Sequence, residues 1–264
     1  MSGLYPIKFK PILLDKIWGG NRINSILNKD LGKLPNCGES WEISGVEGNI
    51  SIVENGFLAG NNLQEIIEVY MGDLVGDFVF KKFGEEFPLL IKFIDAEQDL
   101  SVQVHPNDEL SKKRHNAYGK TEMWYILDAE EGALINSGFE GEVTKEQYLK
   151  HVEKGNLTEL LHYDKTEKGD VYFIPAGRVH AIGKGVLLAE IQQTSDITYR
   201  IFDSNRKDDK GNLRELHTEL AVDAIDFSHL EEYKTKYSVE KNKSSEIVSC
   251  NYFTTNVLEF NTAI

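Results

Sequence analysis

Residues 169–182, GDVYFIPAGRVHAI, carry the pattern that decides the fold. The run of β-branched and aromatic residues predicts a strand, and Pro175 followed by Gly177 predicts a tight turn at its end, because proline restricts φ and glycine tolerates positive φ. His180 comes soon after this turn, so the backbone places its side chain with little freedom. We therefore treat His180 as a candidate metal ligand held by a β framework.

Runs of similar composition recur along the chain between turn signals, and this spacing predicts a barrel or a sandwich. These runs are IKFKPILL, SWEIS, NISIV, LLIKFID, LSVQVH, EMWYILD, VLLAEIQQ and ITYRIFD. Helical patterns are fewer and predict insertions between strands at about residues 61–72 and 143–162. Asn62 and Thr144 each have a Glu or Gln three residues later, which predicts a helix start at both places.

The polar, turn-rich segment SNRKDDKGN predicts a domain boundary, because it separates the strand-dense part of the chain from a helical pattern in LHTELAVDAI. We expect one domain over residues 1–205 and a second over 206–264.

Composition excludes several classes of partner. The formal net charge of −14 repels nucleic acid and anionic membranes, so we expect neither as a partner. No apolar run resembles a signal peptide or a transmembrane helix. Cys37 and Cys250 lie far apart and outside any CxxC pair, which predicts neither a disulfide nor a thiolate zinc site and favours a reducing cytoplasm.

Three segments supply candidate metal ligands. In LSVQVHP, strand alternation places Ser101, Gln103 and His105 on one face. Glu122 begins the apolar strand in KTEMWYIL, where a buried carboxylate needs a partner. With His180 these residues offer two imidazoles, a carboxylate and an amide oxygen, a set suited to Zn²⁺ and less tightly to other divalent ions. The alternative for each segment alone is an ordinary solvated strand face or strand end.

Several segments resemble known proteins. Residues 169–180 resemble the second cupin motif, and IKFIDAEQDLSVQVHPND, GKTEMWYIL and LLAEIQQTSDITYRIFD resemble, in this order, segments of the type I mannose-6-phosphate isomerase family. The similarity runs from about Tyr5 through DKIWGG to RELHTELAVDAI. It implies a mainly β fold, a cupin or jelly-roll barrel with helical insertions, followed by a second, truncated β-barrel domain. The C-terminal VLEFN is then expected to form a strand with an unpaired edge.

The resemblance also implies an activity, the aldose–ketose isomerisation of D-mannose 6-phosphate and D-fructose 6-phosphate through an enediol, with one Zn²⁺ or another divalent ion per chain. Its metal ligands fall on Gln103, His105, Glu122 and His180. Its catalytic residues fall on Arg200, Glu190 and Lys120, and its substrate-binding residues on Ser101, Lys92, Lys120 and Trp18. The expected partner is a small sugar phosphate, bound by a monomer or homodimer.

The proton-transfer base is the least determined role. The apolar setting of Glu190 in VLLAEIQQ is expected to raise its pKa toward neutrality, which suits a general base. Lys92 or Lys120 is an alternative base, although either could instead bind phosphate or lie solvated at a strand edge. Two other hypotheses stay open at this point. One is a cupin that is an iron-dependent oxygenase, which oxygen uptake would reveal, or another sugar-phosphate isomerase with similar ligands. The other is a non-catalytic sugar-binding or regulatory protein.

Overall fold

A computed structural model describes residues 3–204, 206–207 and 211–261. Its strands are β1 (Ile12–Leu14), β2 (Glu39–Ser44), β3 (Leu89–Ala96), β4 (Val102–Val104), β5 (Glu122–Ala129), β6 (Leu134–Phe139), β7 (Leu161–Lys165), β8 (Val171–Ile174), β9 (His180–Ile182), β10 (Val186–Gln193), β11 (Tyr199–Phe202), β12 (Ser245–Ser249) and β13 (Thr254–Val257). Its α-helices are α1 (Arg22–Ser25), α2 (Leu63–Tyr70), α3 (Gly72–Val75), α4 (Asp77–Phe83), α5 (Asp108–His115), α6 (Lys145–Lys154) and α7 (Thr218–Val222). No helix within these described ranges has the length and apolar character needed to cross a membrane.

Two antiparallel sheets form the body of the protein. One has the strand order β1-β2-β3-β10-β5-β8 and the other β11-β4-β9-β6-β7, so most neighbours in the sheets are distant in sequence. Apolar side chains from both sheets, including Trp124, Tyr172, Ile182 and Leu188, pack together as a buried core. Burial of these inward-facing residues holds the two sheets against each other. The predicted mainly β barrel with helical insertions is therefore confirmed.

The outer faces of both sheets are covered as well. Tyr148 of α6 and Ala221 of α7 pack with Val104 on the outside of the five-stranded sheet. The hairpin of β12 and β13 packs on the outside of the six-stranded sheet, where Phe253 joins Met123 in one apolar cluster. The predicted division at residue 205 falls on a position outside the described ranges. That division and the second barrel therefore stay predictions.

The first helical insertion is longer than predicted. α2 begins with the capping box that Asn62 and Glu65 form, but helical structure continues through α3 and α4 to Phe83, beyond the predicted end at residue 72. α3 has four residues and α4 has seven, and such short helices show little of the periodicity that sequence patterns depend on. They are stabilised by packing, since Leu74 and Phe80 lie against the apolar cluster around Val53.

The second insertion matches its prediction more closely. Thr144 caps α6 through a capping box with Gln147, and a 3₁₀ segment over Leu157–Leu160 follows. β7 begins at Leu161, so the last two residues of the predicted range 143–162 belong to a strand.

Several strand boundaries differ from the prediction. NISIV forms isolated bridges rather than a strand, and IKFKPILL contributes only its last three residues to β1. The expected terminal strand VLEFN is wrong, since β13 ends at Val257. β6, β7, β9 and α5 were not predicted. α5 is mostly charged and carries no apolar stripe, so its helix signals are the N-cap Asn107, the acidic residues of the first turn and the basic residues of the last turn.

Candidate metal centre

Five of the candidate residues lie in two rows of cross-strand neighbours, one on each sheet. The row on the six-stranded sheet is Trp41, Lys92, Glu190 and Trp124, from β2, β3, β10 and β5. The row on the five-stranded sheet is Arg200, Gln103 and His180, from β11, β4 and β9. Directly opposite residues point to the same side of a sheet. Strand register, rather than closeness in sequence, therefore brings these side chains together.

One cavity of about 490 Å³ is lined by most of the candidate residues. Its lining includes Trp18, Lys92, Ser101, Gln103, Lys120, Glu190 and Arg200, all of which were candidate residues. His105, Glu122 and His180 are at most 1% exposed and do not line this cavity. The cavity therefore has a polar, charged wall that includes the candidate ligand Gln103, while the other three candidate ligands lie outside its lining.

His105, Glu122 and His180 form a compact buried cluster. Glu122 Oε2 lies 3.6 Å from His105 Nε2, and Glu122 Oε1 lies 3.4 Å from His180 Nε2. One potential ligand atom from each residue lies within 4.8 Å of the other two. With metal–ligand bonds of roughly 2.0–2.2 Å, two ligand atoms of one ion lie at most about 4.4 Å apart, so both distances between Glu122 and a histidine suit a shared ion.

Both imidazoles are prepared to act as ligands. His105 Nδ1 lies 2.8 Å from the Ile197 carbonyl and His180 Nδ1 lies 2.8 Å from the Arg178 carbonyl. A carbonyl only accepts, so each Nδ1 carries the proton and each Nε2 keeps its lone pair. Burial lowers the pKa of His180 to about 3, and burial followed by the Lys120 charge lowers the pKa of His105 well below its ordinary value. Both rings are therefore neutral near pH 7.

The same cluster leaves buried polar atoms without hydrogen bonds. His105 Nε2, His180 Nε2 and both Glu122 oxygens have no hydrogen-bond partner, although Lys120 Nζ lies 3.1 Å from Glu122 Oε2. Burial, and then the Glu190 charge, raises the pKa of Glu122 above its ordinary value. Unpaired buried polar atoms are costly, and a divalent cation would satisfy this donor set. The residues present therefore fit a metal ion.

The turn before His180 is tied to His105. Gly177 has φ +91°, a conformation that favours glycine, and its N–H donates to the His105 carbonyl at 2.9 Å. Gln103 lies opposite His180 on the neighbouring strand. It is thus the nearest amide in register, and its role as a fourth ligand stays a prediction.

Glu190 lies among buried cations rather than in an apolar setting. Lys92 Nζ is 2.9 Å and Lys120 Nζ 3.9 Å from Glu190 Oε1, and Trp124 Nε1 donates to Oε2 at 2.8 Å. Burial acts to raise the pKa of Glu190, but Lys92 and Lys120 reverse this and hold it below its ordinary value. The expected rise is therefore wrong, because β3 places Lys92 directly opposite.

Glu39 is a charged residue of this cavity that the sequence reasoning missed. Its Oε2 accepts from Trp41 Nε1 at 2.6 Å, and its carboxylate lies 3.8 Å from Lys92 Nζ and 3.5 Å from Lys16 Nζ. Burial opposes ionisation, but Lys92 and Lys16 lower the pKa of Glu39 to about 2. Strand alternation in ESWEIS was the available signal, since it places this carboxylate on the same face as Trp41.

Two arginines converge on Ser101 at another part of the wall. Arg200 Nε lies 3.3 Å and Arg214 Nη2 3.4 Å from Ser101 Oγ. Arg200 Nη1 donates to the Glu215 carbonyl at 2.9 Å, and Arg214 Nε pairs with Asp203 at 3.1 Å. Arg214 was also missed, although it lies in the RELH segment that carried the resemblance. Two anchored guanidinium groups make a suitable anion site in a protein of net charge −14.

Comparison with known proteins gives consistent matches. Residues 7–144 match the family model of the phosphomannose isomerase type I catalytic domain. Mannose-6-phosphate isomerase ManA of Bacillus subtilis is 40% identical over 257 residues, which cover 94% of this chain and 77% of that protein. Mannose-6-phosphate isomerase of Streptococcus mutans is 38% identical, over 83% of this chain and 67% of that protein. The crystal structure of the Bacillus subtilis mannose 6-phosphate isomerase matches with a TM-score of 0.85 at 35% identity, covering 95% of this chain and 79% of that one.

Proposed function

Because the chain belongs to the type I phosphomannose isomerase family, we propose that it interconverts D-mannose 6-phosphate and D-fructose 6-phosphate in carbohydrate metabolism. One observation carries the proposal: a buried His–Glu–His cluster with free ligand atoms lies close to a row of buried lysine and glutamate side chains. An aldose–ketose isomerisation needs an electrophile and a base near the same two carbons. This arrangement offers both.

We assign one Zn²⁺ per chain to His105, Glu122 and His180, with the Gln103 amide oxygen as the fourth ligand. The set of imidazole nitrogens and carboxylate and amide oxygens suits zinc best, although other divalent ions fit it less tightly. When bound, the ion supplies Lewis-acid stabilisation of the negative charge that builds on the substrate oxygens at C1 and C2.

The phosphate group is assigned to Arg200, Arg214 and Ser101. The two guanidinium groups approach one hydroxyl from anchored positions, so binding of a phosphate dianion costs little side-chain ordering. Local attraction of this kind is needed because the protein as a whole is acidic. Trp18, which is buried at 6% exposure and lines the cavity, is assigned to the sugar-binding wall.

We assign the proton transfer to Glu190. Lys92 and Trp124 hold its carboxylate in the ionised form, so it can accept the proton from C2 of the open-chain aldose and return it to C1 of the enediol. The hydroxyl proton on O2 moves to O1 in the same conversion, which balances the reaction. Lys120 lies between Glu122 and Glu190 and adds positive charge where the enediol becomes negative.

The test is an assay that couples fructose 6-phosphate formation from mannose 6-phosphate to a detectable product. Activity should be present in the purified protein, fall on chelation and return with added Zn²⁺. Absence of conversion in the zinc-loaded protein would refute the proposed reaction, and full activity after complete chelation would refute the role of the metal. A monomeric or homodimeric state and a cytoplasmic location are part of the same proposal, and sedimentation and cell fractionation test them.

A further inference from the structure

We propose that Asp108 and Tyr252 are positioning residues that hold Lys120 in place, so that the hairpin of β12 and β13 supports the active site. The proposal rests on the proposed function, because it concerns the lysine assigned to that reaction. Neither residue lines the cavity that contains Lys120. Both act through the backbone of the segment from Gly119 to Thr121.

The backbone around Lys120 is held at three consecutive N–H groups. Gly119 N–H donates to Asp108 Oδ1 at 2.8 Å, Lys120 N–H to the Pro106 carbonyl at 3.1 Å, and Thr121 N–H to Gln193 Oε1 at 2.8 Å. Pro106 follows a candidate metal ligand, and Gln193 ends the strand that carries the proposed base. The segment is therefore joined to both parts of the chemistry.

The Asp108 carboxylate accepts three hydrogen bonds that restrain this loop. In addition to the Gly119 N–H, its Oδ1 accepts from Gln193 Nε2 at 3.0 Å, and its Oδ2 accepts from the Tyr252 hydroxyl at 2.7 Å. Burial opposes ionisation of Asp108, but these donors, Tyr252 first, hold its pKa below the ordinary value. Asp108 is thus an ionised acceptor whose position is set by α5, which begins at this residue.

Packing leaves the loop little freedom to shift. A Cβ atom on Gly119 would lie 2.5 Å from the Asp108 backbone nitrogen, so the two backbone segments are in close contact. The hairpin also reaches this region through its apolar side, because Phe253, next to Tyr252, packs with Met123. The hydroxyl contact of Tyr252 is therefore the polar part of a larger docked surface.

A small movement of this loop matters for Lys120. Its Nζ lies 3.1 Å from Glu122 Oε2 and 3.9 Å from Glu190 Oε1, between a candidate metal ligand and the proposed base. Misplacement of a catalytic group by about 1 Å can reduce turnover by on the order of 100-fold. Removing one of the several hydrogen bonds that restrain the loop should displace Lys120 by less than this.

The test compares Tyr252→Phe with Tyr237→Phe in the full chain. Tyr237 comes from the same C-terminal region and donates to the Gly169 carbonyl at 2.6 Å, at a site with none of the candidate residues. We expect Tyr252→Phe to lower kcat about tenfold, the effect of losing part of one hydrogen bond to a charged group, while the melting temperatures of the two variants stay similar. Asp108→Asn should lower kcat further. Asp170→Asn is the control for this variant, because it also removes a carboxylate that is bound by a turn N–H and by Lys234. Its kcat should stay near the wild-type value.

A double-mutant cycle separates positioning from general loosening. In a Lys120→Met background, Tyr252→Phe should cause almost no further loss of kcat, because both changes act through one side chain. Additive losses would overturn the proposal, as would equal kcat values for the Tyr252 and Tyr237 variants.

Hydrogen exchange tests the geometry independently of activity. The amides of Gly119 and Thr121 should exchange faster in Tyr252→Phe than in wild type, and unchanged protection would overturn the inference. If Tyr252→Phe exchanges these amides faster than wild type but the wild-type protein has no isomerase activity, the proposed function fails while the positioning of the loop stands.

Discussion

The substitution Glu122→Gln gives the sharpest test of the candidate metal centre. Gln keeps the volume of the side chain but removes the anionic member of the His105, Glu122 and His180 cluster. The metal-free variant should differ little from the metal-free wild type, since burial already disfavours the charged form of Glu122. The metal-bound states should differ strongly.

The magnitude follows from linkage. A ligand present at 100 times its Kd stabilises the folded state by about 2.7 kcal/mol, which for a protein of this size raises the melting temperature by roughly 5–11 °C. Loss of the carboxylate should weaken metal binding by at least about 100-fold, because weakening even an outer partner of a ligand costs 10–100-fold. At the same zinc concentration the variant would then gain only about 0.4 kcal/mol, or roughly 1–2 °C.

The assay is thermal unfolding with and without added Zn²⁺ after chelation. Glu42→Gln is the matched control, because Glu42 lies on β2 and pairs with Lys29 at 2.8 Å rather than with the cluster. The control should keep the full zinc-dependent shift. A Glu122→Gln protein that is stabilised by zinc as much as wild type would show that the three side chains do not share an ion.

Three further outcomes are expected. Arg200→Ala should lower turnover by roughly 100-fold or more, since it removes a fixed charge from the proposed substrate site, while the zinc-dependent shift in melting temperature persists. Near-normal turnover would exclude Arg200 from the reaction. Lys92→Met should raise the pKa of Glu190, because Lys92 is the largest of its charge-stabilising contacts. The acid limb of the plot of kcat/KM against pH should then move to higher pH by about 1–3 units, and an unchanged acid limb would contradict this. The pKa of Glu39 falls from 4.5 to about 2 on folding, so its contribution, on the order of 3 kcal/mol, is present above pH 4.5 and lost as pH falls through 2. Urea unfolding at pH 7 and pH 3 should therefore show a smaller acid loss for Glu39→Gln than for wild type, and equal losses would count against it.

Local patterns selected the members of the candidate ligand cluster, although each segment alone also fitted an ordinary solvated strand. Alternation along LSVQVHP gave the face of His105, and the Pro175 to Gly177 turn indicated a fixed position for His180. Both inferences need only the residues next to the ligand, because strand period and turn geometry are local properties. The structure adds that these segments meet at Glu122.

Charge environments could not be predicted in the same way. Lys92 and Glu190 are opposite each other only because β3 pairs with β10, which no local pattern reveals. The sequence around Glu190 is apolar, so the pKa was expected to rise, whereas the neighbouring strand supplies a cation. The roles of Glu39 and Arg214 depend equally on partners from distant segments.

The two cross-strand rows make activity a sensitive indicator of how the chain has paired during folding. A slip of β10 by one residue would turn Glu190 away from the cavity and present Ala189 or Ile191 in its place. A misfolded molecule with native amounts of strand would then keep its spectroscopic signature but lose the proposed base, its lysine partner or a candidate ligand. Regain of enzymatic turnover after refolding should therefore lag behind regain of circular dichroism whenever mispaired sheets accumulate.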